Sequence, residues 1–408
     1  MGEEGYAVKN GTTGEVEVAA FRRDVQELVR SRIRAAIEAA LEEELADALG
    51  ALKSVRTPTR RGYRNGSEER AVTTEAGTRP LRVPRGRIHQ ANGSTSEFES
   101  KVLPRYARRS RVIDDAILGC YLAGANTRRI RKALEPLLGS QHLSKSAVSR
   151  VVARLKELYA QWDERDLGRE AYPILFLDGF HLKIRMARRV VSLPVLAVLG
   201  VDESGTKVLV ALRLAASEGS TLWSDVLVGL QRRGLRTPLL IVADGHAGLQ
   251  KALSAWPDAR VQRCTQHKRQ NLLEHCPVHA RSELGRDFNK IVNAKDGIAA
   301  RKLYESFLQK WSSLCPAVAR SMAEAGAELL TYYEFPRAMW KSLRTTNVIE
   351  NLNREFRRRT KSQASFATEG AAVTLLYGLV AFGQIRLRKI DGHHQMGKLL
   401  AGAWSQVA

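Results

Sequence analysis

From residue 172 the apolar residues stop recurring at helical spacing and gather into strand-like runs, and the order of those runs constrains the fold more than any other feature. YPILFLDGFHLKIR, VVSLPVLAVLGVDES and TKVLVALRLAAS are divided by short turns, the last two by ESGT, as an antiparallel meander requires. STLWSDVLVGLQRRGL follows as a capped helix, PLLIVADGH as a more wholly apolar strand, residues 247–256 as a helix and ARVQRCTQH as a fifth strand. Residues 268–345 read as helical throughout, a basic helix TTNVIENLNREFRRRTK comes next, and the closing stretch is again helical and rather apolar.

Three strands, helix, strand, helix, strand is the order of a ribonuclease H-like α/β core, in which the first and fourth strands are parallel neighbours. Asp178 ends the apolar run Ile174–Leu177 on the first strand, and Asp244 ends Leu239–Ala243 on the fourth. A carboxylate buried in such a run costs several kcal/mol unless it is paired or ligates a metal. Side by side, the two like charges would push the pKa of one acid up strongly, a conflict that a divalent cation resolves. Glu350 supplies a third acid from the helix over 346–361, where Arg354, Arg357, Arg358 and Lys361 follow on its face or flank. An acid followed by a basic stripe suits a metal site that receives a phosphodiester. Oxygen ligands suit Mg²⁺ or Mn²⁺, and two such ions about 3.5–4 Å apart can activate an attacking oxygen and stabilise a leaving one. The competing reading is that Asp178-Gly179 and Asp244-Gly245 merely start turns. Asp202, Glu203, Asp225, Asp258 and Glu355 fall in hairpin, turn or exposed helical settings and are set aside.

The charge balance points the same way. Among 408 residues, 65 Lys and Arg face 43 Asp and Glu, a net charge of +22 with a pI near 10.2, which implies a polyanionic partner, nucleic acid ahead of a membrane surface. No run of about 18 apolar residues occurs, and MGEEGYAVKN lacks the order of a signal peptide, so a cytoplasmic protein is expected. The four cysteines are too few and too scattered for a disulfide framework.

The length implies two or three units. Residues 1–52 form an N-terminal helical region: Val25, Leu28, Ile33, Ile37, Leu41 and Leu45 make a stripe that ends at Gly50 and could pack internally or on a second subunit. Residues 53–111 read as a basic β-rich DNA-binding module, with 14 basic against 5 acidic residues over 51–110; Arg85 and Arg87 are its candidate phosphate contacts. Residues 112–165 read as a helix-turn-helix. Val112–Leu122 forms its first helix, a second is capped by Thr127, strained by Pro136 and stopped at Gly139, and a third is capped by Ser144. In the third, Val148, Val151, Val152 and Leu155 would face inward, and Lys145, Ser146, Ser149, Arg150 and Arg154 would face a major groove. The catalytic core then comprises 170–267 and 346–365, interrupted by a helical insertion over 268–345 and followed by a helical tail over 366–408.

In order and spacing, RRGYRNGSEERAVTTEAGTRPLRVPRGR, LPRYARRS, YPILFLDGFHLKIR, GSTLWSDVLVGLQRRGL, VADGHAGLQKAL, VQRCTQHKRQNLL and TTNVIENLNREFRRRTK resemble the bacterial mutator-type insertion-sequence transposases over roughly residues 25–390. The resemblance implies a D-D-E triad at Asp178, Asp244 and Glu350, an all-helical insertion between the last two, which are 106 positions apart, binding of terminal inverted repeats, a homodimer on DNA and a replicative copy-out, paste-in route. The tail lacks the family's tryptophan-rich pattern, and His246 stands where many relatives are apolar. Cys264 and His267 match the family's C-x-x-H signature. With Cys276 and His279 they have a spacing that could hold zinc, though a buried packing cysteine and a hydrogen-bonding histidine beside the site explain them better. A DNA-binding regulator derived from a transposase and a structure-specific nuclease on the same fold are the competing functional readings.

Overall fold

The computed structural model describes residues 12–404 apart from 56, 75–76, 91, 139–142, 187–188, 215–219, 362–365 and 367. Gly139, the expected stop of the second helix of the helix-turn-helix, and residues 1–10 lie outside the described residues. The chain divides into two compact units, 1–121 with 125–152, and 122–124 with 153–408.

In the first unit, α1 (Thr12–Leu49) lies along a long hairpin of β1 (Gly62–Thr74) and β2 (Gly77–His89), which β3 (Thr95–Glu97) extends. The helix closes at Gly50, whose φ is +63°: Ala51 N–H donates to Ala46 O at 3.1 Å and Gly50 N–H to Asp47 O at 3.2 Å, the bond pair with which helices end on a left-handed glycine. The expected apolar stripe splits in two. Leu41, Leu45 and Leu49 are buried, and Leu41 shares a core with Val72, Leu81, Val83 and Leu103, whereas Phe21, Val25, Leu28 and Val29 are exposed. Gly86 admits the helix, since a Cβ there would sit 2.6 Å from Leu45.

Three helices follow, α2 (Arg111–Leu122), α3 (Thr127–Leu138) and α4 (Lys145–Glu164), the last running from the first unit into the second. Ile113, Ile117, Ile130, Leu134, Leu138, Ala147 and Val148 form their common core. The Ser144 hydroxyl accepts from Ala147 N–H at 3.1 Å, the expected cap. The cap of α3 is Asn126 and not Thr127: the Asn126 carbonyl oxygen reaches Arg129 N–H at 2.9 Å, which leaves Thr127 as the first helical residue. Pro136 does not end α3, which continues to Leu138.

The second unit is built on a five-stranded sheet of order β6-β5-β4-β7-β8, formed by β4 (Ile174–Met186), β5 (Arg189–Val201), β6 (Lys207–Leu214), β7 (Leu240–Ala243) and β8 (Arg260–Arg263). The first three pair antiparallel, and β4, β7 and β8 run parallel. The β5–β6 turn is set by Asp202, whose Oδ1 accepts from Ser204 and Thr206 N–H at 2.9 Å, and by Gly205 at φ +80°. α5 (Ser220–Arg232) and α6 (Ala247–Ala252) bury Trp223, Leu227, Leu230 and Leu249 with Leu175, Leu177 and Val198 of the sheet. The fifth strand stops at Arg263, four residues before the expected end, because Thr265 already begins α7 (Thr265–His275).

The helical insertion contains α8 (Arg281–Val292), α9 (Gly297–Leu314), α10 (Pro316–Ala325) and α11 (Trp340–Leu343), with a core of its own around Phe288, Phe307, Trp311 and Met322. α12 (Asn347–Lys361) then returns across β4, with Phe356 stacked on Phe180 at 6.0 Å, and α13 (Glu369–Ala381) and α14 (Met396–Trp404) follow. Among the described residues no helix is long and apolar enough to cross a membrane.

Gly200 on β5 is tightly packed: a Cβ there would lie 2.6 Å from the Tyr172 ring and 2.8 Å from Val210. Gly200→Ala is therefore expected to destabilise the protein by about 1–3 kcal/mol. Gly229→Ala, in α5 with nothing near its Cβ position, is expected to stabilise by about 0.5–1 kcal/mol. Urea midpoints of the two variants should move in opposite directions.

Candidate active site

Leu177 of β4 is in register with Ala243 of β7, so the next residue on each parallel strand, Asp178 and Asp244, emerge as neighbours. Asp178 does not end its strand. β4 runs on to Met186, paired there with β5, and Asp178 pairs opposite Ala197. Asp244 does leave its strand, and its Oδ1 accepts from His246 N–H at 3.1 Å. The turn behind it explains Gly245: a Cβ there would collide with the guanidinium of Arg263, a side chain only 5% exposed and held by Glu324 at 3.0 Å. Lys268, equally buried, reaches the same Glu324 at 2.6 Å and Ser321 O at 2.9 Å, which ties α10 of the insertion to the strand and helix beside the acids.

α12 carries Glu350 in its first turn and Asn353 one turn later on the adjoining face. Asn353 is buried, and its Nδ2 donates to Asp178 Oδ2 at 2.9 Å. Glu350 Oε1 lies 3.4 Å from His267 Nε2, in the first turn of α7. Cys264, at the cap of that helix, is 2% exposed, and its Sγ accepts from Thr346 N–H at 3.4 Å and from Thr346 Oγ1–H at 3.3 Å.

The electrostatics follow from this crowding. Burial first, then the charges of Asp244 and Glu350, raise the Asp178 carboxyl to about 7 against the opposing pull of His267 and Asn353. Cys264 raises the His267 imidazole to about 9; burial opposes this, and Asp178 and Glu350 add to it. Burial alone would push the Cys264 thiol up, but His267 and Thr346 outweigh it and hold the thiol below its usual range. The imidazole feels the thiol through a close approach and not a well-formed bond, since His267 Nδ1 is buried without a hydrogen-bond partner among the described residues, as is Asn353 Oδ1. Three carboxyls with one depressed in ionisation, beside two unpaired polar atoms, fit a divalent cation held by oxygen.

The profile described as Transposase, Mutator family, matches residues 9–384. The transposase for insertion sequence element IS406 of Burkholderia multivorans is 36% identical over 82% of this chain and 84% of its own length, and that of ISRM5 of Rhizobium meliloti is 33% identical over 82% of each. The chain belongs to the Mutator family of transposases. Among solved structures, the Mos1 strand transfer complex is similar over 51% of this chain and 96% of that one, at 11% identity and a TM-score of 0.16, too slight a likeness to bear on the fold.

In this transposase Asp178, Asp244, Glu350, Cys264 and His267 come together, from segments as far apart as β4 and α12. Cys276 and His279 do not join them: Cys264 and Cys276 cap opposite ends of α7, roughly 18 Å apart at 1.5 Å per residue. Lys145, Ser146, Ser149, Arg150 and Arg154 are exposed along α4, with Arg154 paired to Glu157 at 2.9 Å, and Arg85 and Arg87 are exposed on β2. Arg354, Arg357 and Arg358 are exposed on α12. Arg354 donates to Asn351 Oδ1, Arg357 lies over Phe180 at 5.9 Å, and Arg358 pairs at 2.6 Å with Glu355, which is half-buried and not the fully exposed residue expected. Asn353, Thr346 and Arg263 are site residues that the sequence reading missed. Only Asn353 left a signal, its three-residue offset from Glu350.

A carboxyl raised on folding is penalised when it ionises, so in metal-free protein Asp178 costs nothing below about pH 4 and progressively more as the pH rises through about 7. His267 acts in the opposite sense: its contribution is complete below about pH 6.5 and is lost as the pH rises through about 9. Asp178→Asn in EDTA should therefore match the parent's stability near pH 4 and exceed it by about 2–4 kcal/mol near pH 8, where His267 is still charged. Equal urea midpoints at both pH values would mean that the carboxyl ionises without cost.

Proposed function

We propose that this chain is a transposase of the D-D-E type, in which Asp178, Asp244 and Glu350 on a ribonuclease H-like core hold two Mg²⁺ or Mn²⁺ ions and cut and join DNA strands at the ends of the element. The observation that carries this reading is a buried Asp178, 5% exposed, beside Asp244 and Glu350 with its carboxyl pushed up to about 7. The sheet order, three antiparallel strands continued by two parallel ones, supports the ribonuclease H-like assignment. When bound, the ions supply charge that eases ionisation of an attacking hydroxyl and offsets the charge on the departing oxygen.

The protein's own groups do the positioning. Asn353 fixes the rotamer of Asp178, and the Arg263 guanidinium backs the Asp244 turn. Arg354, Arg357 and Arg358 line the approach on α12 and hold the phosphodiester backbone. The exposed residues of α4, Lys145, Ser146, Ser149, Arg150 and Arg154, read the terminal inverted repeats as part of a helix-turn-helix, and Arg85 and Arg87 hold phosphates. The protein works as a homodimer on DNA, by a copy-out, paste-in route, in the cytoplasm. A DNA-binding regulator would have no use for a buried carboxyl set beside two other acids at a cost in stability. For a structure-specific nuclease, the first unit, 1–121 with 125–152, would be superfluous.

Purified protein should nick a duplex bearing its element end with Mg²⁺ or Mn²⁺ and not in EDTA. Asp178→Ala, Asp244→Ala and Glu350→Ala should each abolish nicking while end binding, measured by gel shift, stays near the parent value. Any one of them that cuts at the parental rate is no part of the site.

The two DNA-contact roles separate by specificity. Arg150→Ala should relax discrimination among end sequences by about 1–3 kcal/mol. Arg85→Ala with Arg87→Ala should weaken all DNA alike and flatten the salt dependence. Identical competition profiles for the two variants would refute the division.

A further inference from the structure

The donor atoms nearest Glu350 are not only oxygens. Cys264 Sγ, a ring nitrogen of His267 and a carboxylate oxygen of Glu350 all lie within 4.8 Å of one another, and the His267–Glu350 pair is at 3.4 Å. A tetrahedral zinc ion, with bonds of about 2.0–2.3 Å, holds donors about 3–4 Å apart, so closure of this set needs movements of roughly 1 Å or less. We propose that Cys264, His267 and Glu350 form a binding site for a thiophilic divalent cation such as Zn²⁺, and that its occupation takes Glu350 away from Asp178 and Asp244.

The site is supported from outside its ligands. Thr346 donates two hydrogen bonds to Cys264 Sγ, from its backbone N–H and its hydroxyl, which is the kind of support that orients a ligating thiolate. Thr346 O in turn accepts from Glu350 N–H at 3.1 Å, so one residue fixes both the sulfur and the turn that carries the carboxylate. Cys264 N–H donates to Ala243 O at 2.8 Å, which pins the sulfur's backbone to the strand that delivers Asp244. Three protein donors leave a fourth position open for water, as in zinc sites with three protein ligands.

Chemical softness separates the two uses of Glu350. The aspartates with Glu350 make an all-oxygen set suited to Mg²⁺ or Mn²⁺, whereas a thiolate and an imidazole select zinc or cobalt over magnesium. On binding, the thiol proton is released to solvent, the imidazole gives up its proton where it carries one, and no oxidant or reductant takes part. The inhibitory consequence rests on the reading of Glu350 as the third member of the triad; the ligation itself does not.

Co²⁺ titrated into the full-length, metal-free protein tests the ligation without reference to catalysis. A near-ultraviolet thiolate-to-cobalt charge-transfer band is expected, lost in Cys264→Ser, at least tenfold weaker in affinity in His267→Gln and Glu350→Gln, about 10–100-fold weaker in Thr346→Val, and unchanged in Cys276→Ser. No band in the parent, a band that persists in Cys264→Ser, or one that disappears in Cys276→Ser would overturn the site. Zn²⁺ should also inhibit Mg²⁺-supported nicking, and Cys264→Ser should relieve that inhibition at least tenfold. Relief absent while the cobalt band behaves as expected would overturn the competition for Glu350 and leave the ligand set standing.

Discussion

The pairing of Leu177 with Ala243 fixes the rest of the site. Side chains on a strand alternate faces, so a slip of one residue between β4 and β7 would turn one aspartate to the opposite side of the sheet. The register is secured from both directions. β4 is bonded along its whole length to β5, and β7, only four residues long, is fully buried between β4 and β8. Once the two acids stand together, α12 and α7 have one arrangement that satisfies them, with Asn353 on Asp178 and His267 beside Glu350.

The cost of that arrangement is carried by polar groups as well as by packing. Asp178 is a charge removed from water next to two like charges, and the neighbourhood answers with one cation and one amide donor, which is less than full compensation. The C-terminal end of β8, behind the Asp244 turn, is different. There Arg263 and Lys268, both nearly inaccessible, share Glu324 of α10, so two buried cations depend on an acid delivered by the helical insertion. Removal of that acid would leave Lys268 with only the Ser321 carbonyl and Arg263 with only its 3.9 Å contact to Glu328, a larger loss than any exposed ion pair of the insertion can cause. The insertion is thus coupled to the strand that backs Asp244, although its hydrophobic core is its own.

The elements were legible where burial made the pattern one-sided. The five strands of the sheet, their order along the chain and the two intervening helices followed from apolar runs and turn residues, because β7 and the central stretches of β4, β5 and β6 are buried on both faces. Ends were less legible. β8 gives way to α7 at Cys264 because Thr346 and Ala243 claim the groups there, and neither contact is local in sequence. The three acids proposed as a triad were visible as lone carboxyls in apolar or basic settings. Arg263 was not, since nothing in RVQRC distinguishes a buried arginine from an exposed one until Gly245 is seen against it. The stripe on α1 was read as continuous, yet only its second half finds the hairpin, whose far end near Thr74 and Gly77 lies level with Glu27, paired to Arg79 at 2.7 Å.

The order in which the chain delivers its acids bears on synthesis. Asp178 and Asp244 belong to strands that can pair as soon as β7 has left the ribosome, but Glu350 comes 106 residues after Asp244, beyond a helical region with its own core. At a translation rate of about 5–20 residues per second, a nascent molecule spends roughly 5–20 s with both aspartates in place and the third acid not yet made. Throughout that interval the first unit is complete. On the proposed assignment of DNA binding to β2 and α4 and of cutting to the three acids, a ribosome that stopped inside the insertion would release a polypeptide without Glu350, able to occupy an element end while leaving it uncut, and so to compete with every finished copy for the same ends.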